Sequence, residues 1–188
     1  MRILGISGSL RVGSHNTRLL HAAAGLLPDG VELELFEGLR DVPPYDEDAD
    51  VEPAPAAVAR LRAAIADADA LLISTPEYNS SVPGQLKNAL DWASRPRAAA
   101  ALRDKPVAVV GASAGAFGAV WAQAELRKVL GASGARVPEA ELAVGHAHTR
   151  FDDAGRLLDS DLREQLAEVL LALVAAAAEP ARVAAALA

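Results

Sequence analysis

The sequence predicts an α/β fold, a doubly wound five-stranded parallel sheet with helices on both faces. Short apolar segments rich in β-branched residues alternate with segments whose apolar residues recur at helical spacing, in the order βαβαβαβαβα. Strands that are apolar throughout, such as residues 107–110, are typical of parallel sheets that are buried on both faces. Since the chain shows neither an internal repeat nor a linker, we expect one domain spanning residues 1–188.

The composition excludes several classes of function. A net charge of −7 disfavours binding to nucleic acid or to an anionic membrane. The chain has no cysteine, which excludes disulfides, thiol catalysis and cysteine-ligated metals. The longest uncharged run, residues 106–124, contains glycine, serine and glutamine, so we interpret it as strand, loop and helix start rather than membrane insertion. Without a secretory signal before the first strand, we expect a cytoplasmic protein.

The first half of the chain supplies three strands and two helices. Apolar or alternating patterns predict strands at residues 3–6, 31–36 and 70–73. Helical spacing of apolar residues predicts one helix that starts at Ser14 or Asn16 as N-cap and reaches about residue 27, and a second around residues 58–66. Residues 37–55 hold four prolines and, between positions 46 and 52, a cluster of five acidic residues, a pattern that fits a solvated loop better than a calcium site.

The second half repeats the alternation of helix and strand. Its predicted elements are a helix at 83–92, a strand at 107–110, a helix at 120–130 closed by Gly131, a weak strand within 136–144 and a last helix around 162–173. Pro180 is expected to end or kink the last helix. In such sheets ligands bind beyond the carboxyl ends of the strands, where the loops 7–14, 76–83 and 111–118 would meet.

The loop between the first strand and helix has the composition of a phosphate-binding site. A helix N-terminus offers unpaired N–H groups and a partial positive charge. Ser9, Ser14 and Thr17 add hydroxyls, Asn16 adds an amide and Arg11 adds a guanidinium. The lysine of a Walker A loop is missing, so a nucleoside triphosphatase is disfavoured. A capped turn between strand and helix remains the alternative from this loop alone.

The loop after the third strand suits a flat, polar heterocycle. Tyr78 offers a surface on which a ring can stack, and Asn79 can bond heteroatoms. A proline-rich turn with Tyr78 packed on a neighbour remains equally open from composition. A pair of histidines, His146 and His148, has no evident third ligand nearby except Asp152 or Asp153, so we predict no metal site.

Two separated motifs resemble one known family. The segments GSLRVGSHN (8–16) and PEYNSSVPGQLKNALDW (76–92) are similar to the NAD(P)H-dependent FMN reductase family of flavodoxin-like proteins, which includes quinone, chromate and azo-dye reductases. The loop 113–118 also resembles the S-x-G-x-x-G of that family. The resemblance extends from residue 1 to about residue 130 and implies a sheet of strand order 2-1-3-4-5.

The resemblance also implies a set of functional residues. FMN would be held at its phosphate by Ser9, Arg11, Ser14, Asn16 and Thr17, along its ring by Pro76, Glu77, Tyr78 and Asn79, and at the other ring edge by Ser113 and Gly115. No side chain need act as acid or base, because the flavin carries the chemistry. NAD(P)H would be the co-substrate, and the acceptor a small molecule such as a quinone, free flavin, azo compound or metal oxyanion.

Two further expectations concern partners. Members of this family are commonly homodimers or homotetramers, and an apolar face made by Val82, Leu86, Leu90 and Trp92 is the predicted contact between subunits. The alternative function is a flavodoxin-type electron carrier or flavin-binding redox sensor without NAD(P)H activity of its own. The modest charge of −7 disfavours a carrier, which usually docks through a strongly acidic face.

Overall fold

The computed structural model describes residues 1–179, and these form a parallel sheet flanked by helices. The strands are β1 Arg2–Ser7, β2 Glu32–Leu35, β3 Ala70–Thr75, β4 Val107–Ala112 and β5 Leu142–Val144. The helices are α1 His15–Ala24, α2 Ala56–Asp67, α3 Gly84–Ala93, α4 Val120–Ala132 and α5 Ser160–Ala178. The strand order is β2-β1-β3-β4-β5 and every pairing is parallel. The predicted fold class and strand order are confirmed.

Alternating side chains of the central strands feed two separate cores. Leu71 and Ile73 of β3 pack with residues of α2, α3 and α4 on one face, whereas Leu72 packs with residues of α1 and α5 on the other. All six residues of β3 and all six of β4 are buried. This explains their uninterrupted apolar sequences, because a strand covered on both faces has no solvent side to make polar.

The boundaries of several elements differ from those predicted. Helix α1 ends at Ala24, before the last apolar residues of its pattern, and α4 continues through Gly131 to Ala132. Of the predicted weak strand, three residues pair with β4. The predicted effect of Pro180 lies outside the described residues. Within residues 1–179, no helix is both long and apolar enough to cross a membrane.

The prediction that an apolar face of α3 forms the contact between subunits is wrong. Leu86 and Leu90 are buried in the core of the protomer itself, and Trp92 is fully buried. The Trp92 indole donates to the carbonyl of Pro43 at 2.9 Å and meets the Tyr45 ring edge-on at 4.9 Å. The spacing of apolar residues along α3 therefore identifies the face that packs on the sheet, and this face is not available to a partner.

Candidate functional site

The first loop, residues 7–14, presents the N-terminus of α1 at the carboxyl edge of the sheet. Ser14 is the N-cap, and its hydroxyl oxygen accepts from the amides of Asn16 (3.1 Å) and Thr17 (3.4 Å). This settles the choice between the two predicted N-caps. Gly13 has a φ of +69°, which only glycine adopts without strain, and this turns the chain into the helix.

Several backbone donors at the first loop are left without a hydrogen-bond acceptor in the described part of the protein. Within residues 1–179, the amides of Val12, Gly13 and His15 donate to no protein acceptor. The exposed Arg11 side chain donates to the Gly13 carbonyl at 3.2 Å, so its guanidinium lies over the same turn. Unpaired amides, a helix N-terminus and a guanidinium together favour a multiply charged anion.

The Asn16 side chain is bonded to the two neighbouring strands β3 and β4. Its side-chain oxygen accepts from the Ser74 hydroxyl (2.9 Å) and the Ala112 amide (3.0 Å), and its side-chain nitrogen donates to the Ala112 carbonyl (2.9 Å). The residue is 3% exposed. The side chain therefore links the start of α1 to the ends of β3 and β4, and its predicted contact with the phosphate stays a prediction.

Two further predicted phosphate ligands, Ser9 of the first loop and Thr17 of α1, bond to residues of this loop. The Thr17 hydroxyl donates to the Ser7 hydroxyl at 2.9 Å, and the Ser9 hydroxyl accepts weakly from the Arg11 amide at 3.4 Å. The amide of Gly8 donates to the Ser74 carbonyl at 2.8 Å, which fixes the loop beside β3. The Ser9 hydroxyl remains able to donate to a ligand, since its own proton is not used in this bond.

The ring loop, residues 76–83, contains a tight turn. Tyr78 and Ser81 exchange two backbone hydrogen bonds of 3.1 and 3.2 Å, and Asn79 and Ser80 between them have φ values of 52° and 59°. Two successive positive φ values define a type I′ turn. The turn presents the Tyr78 side chain, which is 53% exposed, instead of packing it on a neighbour.

The third loop, residues 113–118, is tied to the segment that follows β5. Ser113 donates its amide to the Val144 carbonyl (3.0 Å) and accepts from the Ala147 amide (2.9 Å), while the Gly115 carbonyl accepts from the His146 amide (2.9 Å). The Ser113 hydroxyl points back to the Gly115 carbonyl at 3.4 Å. This loop therefore packs as a unit on the C-terminal part of the sheet.

Glu77 joins the ring loop to α4. One oxygen of its carboxylate accepts from the amides of Trp121 and Ala122, each at 3.1 Å. Together with the contacts of Asn16, these bonds tie α1 to the ends of β3 and β4, and the ring loop to α4. Each of the three loops predicted to meet at the carboxyl edge of the sheet begins or ends on one of these bonded elements.

The N-terminus of α1 lies in a positive electrostatic environment. Burial lowers the pKa of His15, and the positive charges of Arg11 and Arg18 lower it further, with a smaller effect from His148. The His15 ring lies parallel to that of Phe151 at 6.4 Å. Positive charges that lower the pKa of a histidine also favour a bound anion at the same place.

Sequence reasoning missed a second cation beside the first loop. The Arg40 guanidinium donates to the Leu10 carbonyl. A cavity of about 510 Å³ lies between this loop and the segment after β2, lined by Arg11, Thr17 and Arg40 among others. Arg40 carries no local signal, because only the pairing of β2 with β1 brings its loop beside the first one.

The comparisons with known proteins agree with this geometry. A sequence model of the family described as NADPH-dependent FMN reductase matches residues 1–149. The chain belongs to this family. It is 46% identical to an NAD(P)H-dependent FMN reductase of Pseudomonas aeruginosa, over 92% of this chain and 93% of that protein. It is 40% identical to 2-hydroxy-1,4-benzoquinone reductase of a Burkholderia species, over 88% and 90%.

Solved structures lead to the same fold. The flavoenzyme NAD(P)H:(acceptor) oxidoreductase FerB of Paracoccus denitrificans superimposes with a TM-score of 0.85 at 34% identity, over 94% of this chain and 96% of that chain. A flavodoxin of Pseudomonas aeruginosa superimposes with a TM-score of 0.58 at 19% identity, which is a likeness of fold alone. The resemblance inferred from the two sequence motifs is therefore confirmed at the level of family and fold.

The chemistry of the site fits FMN, the cofactor of this family. The open amides and Arg11 suit the phosphate, and the exposed Tyr78 beside a polar turn suits the ring. The predicted contacts of individual residues with FMN stay predictions. Pro76 is buried, and its carbonyl accepts from the Thr75 hydroxyl at 2.8 Å, which fixes the start of the ring loop.

Proposed function

We propose that this protein is an NAD(P)H-dependent FMN reductase that passes electrons to a small planar acceptor, with a quinone as the first candidate. Bound FMN would supply the centre that accepts hydride from NAD(P)H and returns electrons to the second substrate. The protein's own task is binding and positioning. No general acid or base is required of any side chain, in keeping with a site built mainly from backbone donors and a turn.

The observation that carries the proposal is the position of three loops at the carboxyl edge of the sheet, on strands and helices that hydrogen bonds tie together. The first loop offers Arg11 and unpaired amides to a phosphate. The ring loop offers the exposed face of Tyr78 and the backbone around Asn79. The third loop, with Ser113 and Gly115, would border the ring on its other side. This arrangement suits a ligand with an anionic end and a flat heterocyclic end.

Turnover measurements separate the reductase from an electron carrier. The purified protein, loaded with FMN, should oxidise NADH or NADPH continuously when a benzoquinone is present as acceptor. A carrier or redox sensor would bind FMN but would not oxidise either nucleotide at a steady rate. Comparing both nucleotides against a quinone, free FMN, an azo dye and chromate in one assay also identifies the preferred acceptor. Binding of FMN without any nucleotide oxidation would contradict the proposal.

We also propose that the protein is a single-domain homodimer or homotetramer of the cytoplasm, where NAD(P)H is available. The support for assembly is an exposed aromatic patch made by Phe117 and Trp121. Phe117 is 65% exposed and Trp121 is 50% exposed, with their rings edge-on at 5.0 Å. Clustered exposed aromatic side chains are typical of surfaces that bury themselves in a partner.

Light scattering at micromolar concentration tests this assembly. The wild-type protein should have at least twice the 19.4 kDa mass of one chain. Phe117→Glu should shift the mass to that of one chain, because a charge buried at the contact has no partner. Leu171→Glu is the matched control, since Leu171 is equally exposed but lies on α5, away from the patch. A wild-type protein of 19.4 kDa would refute the proposal.

A further inference from the structure

Helix α4 begins without a capping side chain of its own. Its N-cap is Ala119, which has no oxygen and adopts the left-handed conformation with φ 65° and ψ 32°. The amides of Trp121 and Ala122 occupy the second and third helical positions, which an N-cap side chain normally satisfies. In α1 and α5 this task falls to the local residues Ser14 and Asp159.

Glu77 supplies the missing cap from another loop of the site. Its single accepting oxygen is 3.1 Å from each of the Trp121 and Ala122 amides. A carboxylate at this position also opposes the positive end of the helix dipole. The cap therefore comes from a residue more than 40 positions earlier in the chain, which makes it a tertiary contact between the ring loop and α4.

The rest of the ring loop has few other anchors to the protein. The hydrogen bonds of the turn run between Tyr78 and Ser81 themselves, so they shape the turn without attaching it. In the part of the chain that the structure describes, the side chains of Tyr78 and Asn79 make no hydrogen bond, and both residues are exposed. The buried Pro76 holds one end of the segment, Val82 and the buried Pro83 hold the other end against the core, and the carboxylate of Glu77 adds a bond on the first side of the turn.

We propose that Glu77 is a positioning residue for the flavin ring, acting through the cap of α4 instead of through contact with the ring. It holds the turn at Tyr78 and Asn79 at a fixed place relative to the third loop. The inference rests on the proposed function, because it assigns the ring of FMN to this turn. It gives Glu77, which the sequence predicted to line the ring, a role through its bonds to α4.

Binding of two flavins tests the proposal without any need for turnover. Glu77→Ala should weaken the binding of FMN and of riboflavin by the same factor, about 5- to 30-fold, since loss of a helix cap typically changes an equilibrium by that much. The factor is common to both ligands because both contain the ring and only FMN contains the phosphate. Glu77→Gln should stay within about threefold of wild type, because one side-chain oxygen is enough for both bonds.

Two further variants separate positioning from general destabilisation. Glu77→Met has the length of glutamate without an acceptor, so it should weaken both flavins as the alanine variant does, and it replaces that variant if alanine prevents folding. Asp159→Ala removes the cap of α5, where the carboxylate accepts from Asp161 (3.0 Å) and Leu162 (3.4 Å). It should lower the unfolding temperature but leave both flavin affinities within about twofold of wild type.

Hydrogen exchange of the flavin-free proteins gives an independent reading. The amides of Trp121 and Ala122 should exchange about 5- to 30-fold faster in Glu77→Ala and at the wild-type rate in Glu77→Gln. The inference is overturned if Glu77→Ala binds both flavins as wild type does, if FMN alone is weakened, or if Asp159→Ala weakens them equally. A wild-type protein that binds neither flavin overturns the proposed function and the inference with it.

Discussion

Replacing Arg11 with alanine should weaken FMN binding by about 10- to 150-fold and leave riboflavin binding unchanged. A hydrogen bond to a charged group contributes roughly 1.5–3 kcal/mol, and each 1.4 kcal/mol or so corresponds to about a factor of ten. The Arg11 guanidinium lies over the first loop, with one nitrogen 3.2 Å from the Gly13 carbonyl. The binding of riboflavin should not change, because riboflavin has no phosphate. Fluorescence titration of both flavins measures the effect.

Three companion variants make the Arg11 prediction specific. Arg11→Lys should restore only part of the affinity, since an ammonium lacks the two-pronged planar donor. Arg40→Ala should weaken FMN binding less than Arg11→Ala does, because the Arg40 guanidinium donates to the Leu10 carbonyl. Arg18→Ala removes the same charge from an exposed position on α1 and should change affinity by about threefold at most. If Arg11→Ala binds FMN as tightly as wild type, the anion lies elsewhere.

The contrast between Arg11 and Glu77 follows from their places in the site. Arg11 belongs to the first loop, and under the proposal it acts on the phosphate end of the ligand, so its loss should weaken the binding of FMN alone. Glu77 is bonded to the start of α4, and under the proposal it acts on the ring end, so its loss should weaken the binding of both flavins equally. Measuring the two flavins on both variants therefore maps the orientation of the ligand across the three loops.

The fold was predictable because its signals are local. Residues 70–73 and 107–110 are apolar without interruption, and a strand buried on both faces requires such a run. The pattern of alternation between strands and helices then favours a parallel sheet. The ends of the elements were less predictable, as α1 shows. Leu26 and Leu27 continue the apolar spacing of this helix, but the helix ends at Ala24. Both residues still pack against the core, from the segment that follows the helix.

The roles of individual polar residues were less predictable than the fold. The sequence predicted Asn16 as a donor to the phosphate, but it could not predict the side-chain hydrogen bonds of Asn16, because Ser74 and Ala112 come from strands far along the chain. The same holds for Glu77, whose partners are backbone amides of α4. Spacing along the chain can identify a helix face, but it cannot say whether α3 turns that face to its own core or to a partner.

Replacing Gly118 with alanine should destabilise the protein by about 2–4 kcal/mol and lower its unfolding temperature by roughly 5–15 °C. Gly118 has a φ of +57°, and a Cβ there would lie 2.6 Å from the Val144 amide nitrogen and 2.8 Å from the Ala143 carbonyl oxygen. These are backbone atoms of β5, which cannot move aside as a flexible side chain would. The third loop would have to lift from the sheet, so FMN binding should fall as well.

A second glycine separates the two causes of this loss. Gly155 has a φ of +80°, but nothing lies within 4 Å of a Cβ built on it. Gly155→Ala therefore introduces the backbone strain without the collision, and it should cost about 1 kcal/mol with no change in FMN affinity. Thermal unfolding and flavin titration of both variants measure the difference. Equal losses of stability would mean that the third loop does not pack against β5 as closely as the structure has it, and that the glycine is needed for its conformation alone.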